Sequence, residues 1–226
     1  MGTLFIVATP IGNLEDITFR ALRVLKEVDV ILCEDTRQTQ KLLIHFQFQK
    51  RMISYHQHSS EERTQEIIDM LREGKQVALV SDSGTPGLSD PGGRLVRRVR
   101  EELGAEVVIT PVPGPSALTA AASVAGLPVS DFLFLGFIPH KNGRQTLFRK
   151  IGESERTVVF YESPHRILKA MQQLEENCDP DRQVVICREL TKKFETIVAG
   201  TLSEVAGKIR SEQPRGEYVV LIEGKR

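Results

Sequence analysis

The sequence has no tryptophan, 6% aromatic residues and three cysteines in 226 residues. So little stacking surface argues against a protein that lays free single strands on aromatic platforms. Cys33, Cys178 and Cys187 form no C-x-x-C pair and no H-E-x-x-H is present, which argues against structural zinc. His56 and His58 lack a third ligand nearby, so no metal is expected. Excess charge is missing too. Lys plus Arg and Asp plus Glu each total 30, so the formal net charge is zero, which argues against coating nucleic acid by bulk electrostatics and leaves a local basic patch open. The apolar stretch Leu4–Ala8 is too short for a signal h-region or a membrane span and lacks a basic n-region. Ile6 stands where a myristoylation signal wants Ser or Thr. A cytoplasmic protein with no membrane partner is expected.

What is present reads as globular. Seventeen glycines and 11 prolines are ordinary usage, and the length suits one large domain or two small ones with a full hydrophobic core. Leu4–Ala8, Val30–Cys33, Val77–Val80 and Val107–Thr110 are apolar on both faces, as strands of a covered parallel sheet are. Helical patterns separate them: Ile17–Val28 with Asp16 as N-cap, a capping box at Ser59–Glu62 opening a helix to Glu73, a helix from Pro91 to Leu103, and Ala117–Ala125. This β/α alternation implies right-handed crossovers.

The second half changes character. Phe132–Phe137 is an apolar run, followed by Pro139–Gly143, a polar turn and candidate linker. Thr157–Tyr161, Val184–Cys187, Glu195–Ala199 and Tyr218–Glu223 read as strands, with helices only at Pro164–Asn177 and Leu202–Arg210. The reading is an N-terminal parallel-sheet α/β domain over 1–137 and a C-terminal mixed-sheet α/β domain over 138–226.

Ligands of open parallel sheets bind beyond the carboxyl ends of the strands. Those exits carry Thr9–Leu14, Glu34–Arg37, the small and acidic Ser81–Gly93, and Pro111–Ala117. The third exceeds what a βα turn requires. No Gly-Lys-Ser/Thr follows a glycine loop and Thr9–Leu14 holds a single glycine, so neither a Walker cradle nor a dinucleotide fingerprint is present. The long loop suits a ligand with polar and apolar ends: Asp82 accepts, Ser83 and Thr85 donate, and glycine admits close backbone approach. Its plainer role for Asp82 is to cap its own turn.

The motifs Thr9–Asp16, Cys33–Arg37, Ser81–Pro86 and Val112–Ala117 resemble the tetrapyrrole-methylase superfamily. With Phe160–Arg166 and Arg188–Glu195, they are similar to its small-subunit (16S) ribosomal RNA cytidine 2′-O-methyltransferase branch. The resemblance spans nearly the whole chain. It implies two α/β domains of the class III S-adenosylmethionine (SAM) methyltransferase type with the cofactor cleft between them, a homodimer, and 16S rRNA of the small subunit as partner in place of DNA. Tetrapyrrole-modifying relatives have a G-x-G-x-G-D-type first loop where Thr9–Leu14 stands here, which favours the RNA branch. Members of that branch are generally longer at the C-terminus. If a C-terminal segment grips RNA, a chain ending at Arg226 is expected to bind cofactor normally and RNA poorly. A tetrapyrrole or corrin methylase and a SAM-binding protein without catalysis stay open as alternatives.

Strand-exit position and resemblance together place SAM against Pro10, Asp82, Gly84, Thr85 and Pro86. Ser116, Ala117 and Tyr161 complete that set. Ribose methylation benefits from a base on the 2′-hydroxyl. Asp35 is preferred by position, Glu189 and Glu195 are alternatives, and Lys192 joins the catalytic set. The plainer reading of Asp35 is the N-cap of a helix Thr36–His45 that also orients Arg37. Arg37, Arg166, Arg188 and Lys193 are candidate RNA-phosphate contacts, although charge runs such as Lys192-Lys193 are commonly solvated faces. Arg94, Arg97, Arg98 and Arg100 share one helix and stay outside the site, and His165 serves a local hydrogen bond. None of the three cysteines follows a proline, so the thiol that carbon-5 attack on a pyrimidine wants is not indicated.

Overall fold

The computed structural model describes residues 1–89 and 92–225. The chain divides into two compact units, Met1–Ser116 and Ala117–Arg226.

In the first unit, strands β1 (Gly2–Val7), β2 (Val30–Cys33), β3 (Arg51–Ser54), β4 (Gln76–Leu79) and β5 (Val107–Val112) form one sheet in the order β3-β2-β4-β1-β5. Every neighbouring pair is parallel. β2 is buried along its whole length, as a central strand covered on both faces must be. The connecting helices are α1 (Phe19–Glu27), α2 (Thr36–His45), α3 (Glu61–Arg72) and α4 (Gly93–Leu103). They bury Leu25, Leu43, Ile67, Leu71 and Leu95 completely, which at ~25 cal/mol per Å² contributes roughly 1.5–3 kcal/mol per side chain.

Local chemistry sets the helix starts. The Ser60 hydroxyl accepts the Arg63 amide at 3.3 Å and starts α3 one residue later than the Ser59–Glu62 box predicts, because the Ser59 hydroxyl accepts the His56 amide instead. α1 differs: its N-cap is Thr18, whose hydroxyl accepts Ala21 N at 3.0 Å. Asp16, the expected cap, lies in a 3-10 turn that Asn13 caps. The expected helix start at Pro91 lies outside the described residues. β3 carries no strong signal, because it is a polar edge strand with Ile53 as its single buried residue.

The second unit starts with α5 (Ala117–Val124) and contains β6 (Phe132–Phe137), α6 (Arg144–Glu153), β7 (Thr157–Glu162), α7 (Ile167–Asn177), β8 (Gln183–Arg188), β9 (Thr196–Thr201), α8 (Leu202–Ser211) and β10 (Tyr218–Ile222). The sheet order is β6-β7-β10-β8-β9; β6 and β7 are parallel and the other pairs antiparallel. β6 therefore hydrogen-bonds into the second sheet. The units divide at Ser116/Ala117 and not at 137/138, because an apolar run such as Phe132–Phe137 does not say which sheet it joins. α6 is a further difference. Its N-cap is Gly143 at φ +77° with no side-chain cap, so the usual start signal is missing. Its Phe148 packs edge-to-face on Phe160 of β7, ring centroids 6.2 Å apart, a pairing that adds about 1 kcal/mol.

No helix among the described residues is long and apolar enough to cross a membrane.

Candidate functional site

The loops that leave β1, β2, β4 and β5 are joined by direct hydrogen bonds at the carboxyl edge of the first sheet. Thr9, after β1, donates its amide to Gly84 O at 2.9 Å and accepts the Gly84 amide at 3.1 Å. The Thr9 hydroxyl donates to Ser81 O at 3.1 Å, and the Ser81 hydroxyl is 3.2 Å from the carbonyls of both Ser83 and Gly84. Thr85 Oγ1 donates to Pro115 O at 3.1 Å, tying the β4 exit to the β5 exit. Asp82 Oδ1 accepts the Asp35 amide at 3.0 Å, tying it to the β2 exit. Asp82 thus spans two loops instead of capping its own turn.

Two glycines let these backbones meet. Gly84 has φ +80°, and a Cβ there would stand 3.3 Å from Ile11 Cγ2. A Cβ on Gly114 would stand 3.1 Å from the Ala8 methyl and 3.5 Å from Ala8 O. A side chain at either position would crowd its neighbour, so glycine lets the main chains approach closely there. The carboxylates of Glu34, Asp35 and Asp82 give that edge negative character. Main-chain donors and acceptors beside carboxylates fit a ligand with hydroxyls, an ammonium group and a positive centre, which is the chemistry of SAM.

The sequence-predicted cofactor residues Pro10, Asp82, Gly84, Thr85, Pro86 and Ser116 all lie on these loops. Gly84, Pro86 and Ser116 are buried, and Asp82 is exposed. Ala117 opens α5. Tyr161, on β7 in the second unit, packs edge-on against Phe134 and Phe137 with centroids 5.0 and 5.3 Å away.

The catalytic expectations change most. Asp35 Oδ1 accepts Arg37 N at 2.8 Å, and both carboxylate oxygens accept from the Arg37 guanidinium, the shortest contact being 2.7 Å. Asp35 is the N-cap of α2. The side-chain hydrogen bonds from Arg37 lower its pKa to about 2. So acidic and fully engaged a carboxylate is a poor proton acceptor at neutral pH. Glu34 moves the other way: burial first, then the Asp82 charge, push it above its ordinary value, with His56 opposing. Sequence position alone did not separate these neighbours.

The loop after β8 holds the other candidates. Lys192 Nζ donates to Glu189 Oε1 at 2.9 Å and to Glu217 Oε2 at 3.0 Å. Burial raises the Glu189 pKa, but the Glu217 amide and the Lys192 ammonium outweigh it and the net direction is down. For Lys192, burial is outweighed by Glu189 and Glu217, and the net direction is up. The pair is held as ammonium and carboxylate, so neither member is poised as a base. Glu195 Oε2 accepts the Thr191 amide at 2.6 Å. Glu189 and Thr191 adopt φ +51° and +65°, a left-handed backbone that non-glycine residues rarely take. Gly216 accommodates it: a Cβ there would sit 2.2 Å from the Glu189 carboxyl carbon.

Of the cationic candidates, Arg37 keeps 86% of its side chain exposed and Lys193 is exposed. Arg166 is not free to meet a phosphate. Its side chain is 17% exposed, pairs with the buried Glu162 at 2.9 Å and donates to Ile138 O at 2.8 Å. Arg188 is similarly engaged, with Glu212 at 3.1 Å and Thr196 Oγ1 at 2.9 Å. Strand-end arginines look alike in sequence whether they face a ligand or a buried carboxylate. Among the described residues no three His, Cys, Asp or Glu are grouped to hold a metal.

Residues 3–206 match the family Tetrapyrrole (Corrin/Porphyrin) Methylases. A relative from Thermotoga maritima, ribosomal RNA small subunit methyltransferase I, is 47% identical over 225 residues, covering 100% of both chains. Relatives of the same name from Halalkalibacterium halodurans and Pseudomonas aeruginosa are 45% and 47% identical, each over 99% of this chain and 76% and 79% of the relative. Among solved structures, the methyltransferase CobJ superposes with a TM-score of 0.70 at 22% identity, over 100% of this chain and 97% of that one. The uroporphyrin-III-C-methyltransferase from Thermus thermophilus follows at 0.65 and 20% identity, over 98% and 94%. With its two sheets, its joined strand-exit loops and these matches, the chain belongs to the tetrapyrrole (corrin/porphyrin) methylase family.

Proposed function

We propose that this protein transfers a methyl group from SAM to the 2′-hydroxyl of a cytidine ribose in 16S rRNA of the small ribosomal subunit. The observation that carries the reading is full-length similarity, 47% identity over 100% of both chains, to a relative named as a ribosomal RNA small subunit methyltransferase. The solved tetrapyrrole-type enzymes share the fold at 20–22% identity and carry no substrate argument. We assign the chain to the cytoplasm and to a homodimer on the same resemblance.

Bound SAM supplies an activated methyl group on a sulfonium. The protein's part is to hold and align the reactants and to take up a proton. Pro10, Asp82, Gly84, Thr85, Pro86 and Ser116 form the binding edge, with Ala117 and Tyr161 as further contacts. Asp82 orients donor groups of the ligand while fixing the Asp35 amide. Arg37 and Lys193, both exposed, meet RNA phosphates, whereas the Glu189–Lys192 pair shapes its loop. We assign proton uptake from the 2′-hydroxyl to Glu34, because it combines a strand-exit position with raised basicity, whereas Asp35 is acidified by Arg37.

The test supplies labelled SAM with assembled small subunits, naked rRNA or a porphyrinogen. Label is expected in the rRNA. The modified link should resist alkaline cleavage and leave a gap in the ladder, since a methylated 2′-oxygen cannot attack its phosphate. Label in a base with an unbroken ladder overturns the 2′-O assignment, and label in the porphyrinogen alone overturns the RNA assignment.

A further inference from the structure

The Pro139–Gly143 segment is no linker. It leads into α6, and beside it lies a pocket of about 300 Å³. The wall carries His140, Lys141, Arg144, Lys169 and Gln173, and no carboxylate among the described residues lines it. α6 starts at Gly143 without a side-chain cap, so its first amides keep their partial positive charge unanswered by any side chain.

Arg144 is the decisive residue. It is 3% exposed. Its Nε donates to Gln173 Oε1 at 2.7 Å, and Nη1 donates to Pro139 O at 3.1 Å and to Glu162 Oε2 at 3.2 Å. Nη2 is buried with no hydrogen-bond partner among the described residues. A buried donor left without an acceptor is costly, and such gaps mark places where another group belongs. The charge count agrees. Arg166 pairs with the other oxygen of Glu162, so two guanidinium groups share one fully buried carboxylate and one positive charge is left over. Lys141 and Lys169 add to it, and neither makes an ion pair among the described residues. A cationic pocket with a spare guanidinium donor and an uncapped helix start is built for a phosphate oxyanion.

We propose that this pocket binds a phosphodiester group of the RNA substrate, apart from the strand-exit loops assigned to the cofactor. The anion site stands on the geometry of the second unit alone. Its assignment to RNA rests on the reading of the chain as an rRNA methyltransferase.

The test uses the full-length protein and a Lys141→Ala/Lys169→Ala double variant. Both lysines are exposed, so the fold is not threatened. The variant should keep SAM affinity within about twofold, bind assembled small subunits about tenfold more weakly, and show a log–log salt slope shallower by about one to two. Unchanged subunit affinity and slope, with wild-type methylation intact, overturn the RNA-phosphate assignment. If the wild type methylates no subunit, the proposed function fails, and the anion site is judged separately by titrating inorganic phosphate. Saturable amide shifts at Gly143, Gln145 and Thr146 that the double variant loses uphold the site; no shifts overturn it.

Discussion

The Asp82 carboxylate accepts the main-chain amide of Asp35 at 3.0 Å, so one exposed side chain fixes the distance between the exits of β4 and β2. Replacing it removes an acceptor and loosens the loop that carries Gly84 and Thr85. Asp82→Ala should weaken SAM binding in calorimetry by about tenfold or more, the equivalent of roughly 1.4 kcal/mol. Asp82→Asn, which keeps an acceptor oxygen, should lose less. Unchanged affinity in the alanine variant removes Asp82 from the site.

Asp35 and Arg37 make a pH prediction with a definite sign. The folded Asp35 pKa is lowered from 3.8 to about 2, chiefly by the Arg37 side-chain hydrogen bonds. A group depressed in the folded state contributes stability that is present above its unfolded pKa and lost as pH falls through the folded one. That window runs from about pH 4 to about pH 2. In a carboxyl NMR titration, Arg37→Ala should move the Asp35 midpoint up towards 3.8. A midpoint that stays near 2 would show that the Arg37 side chain does not set it.

Gly84 tests the close approach of the loops. Its φ of +80° and the Ile11 methyl 3.3 Å from a built Cβ both penalise a side chain. Gly84→Ala should cost about 1 kcal/mol or more in urea denaturation and weaken SAM binding in parallel. Full stability and full affinity together would show that the loop tolerates the methyl.

Much of this was legible in the sequence, and the failures have physical causes. The strand Val30–Cys33 is buried throughout and carries the signature of a covered parallel sheet, whereas Val107–Val112, read the same way, is an edge strand buried only at Val107 and Val112. The loops beyond both strands converge as their small and acidic residues suggest. β3 escaped because an edge strand with one buried residue lacks apolar alternation. α6 escaped because Gly143, not Ser or Asp, stands at its start. Within the site, Glu34 and Asp35 are adjacent and chemically alike, and the direction of each pKa is set by the fold: burial and then the Asp82 charge for Glu34, the Arg37 side chain for Asp35. Arg166 reads as a surface cation until Glu162 is seen beneath it.

That buried cluster supports a stability prediction. Glu162 is fully buried and takes ion pairs from Arg144 and Arg166. Removing its charge leaves two guanidinium groups without a counter-charge, and breaking such pairs from one side costs about 3–5 kcal/mol. Glu162→Gln should lower the unfolding midpoint sharply, while Arg37→Ala, at an exposed pair, should barely move it. Equal small shifts in both would show that the buried cluster is not stabilising.

The last prediction separates Glu34 from Asp35 as the proton acceptor. Burial and the Asp82 charge raise Glu34 above its ordinary 4.5, so methyl transfer should gain rate as pH rises through that elevated value. Glu34→Gln should lower kcat by about a hundredfold, the usual contribution of a positioned base, with SAM affinity kept within about twofold. The acidic limb of the profile should vanish with it. Asp35→Asn should retain the limb, because a carboxylate held near pH 2 by Arg37 does not titrate where that limb lies. Asp82→Asn should shift the limb to lower pH, since it removes the charge that helps to raise Glu34. A limb that survives Glu34→Gln and disappears in Asp35→Asn would return the role to Asp35 and show that the Arg37 contact opens during turnover.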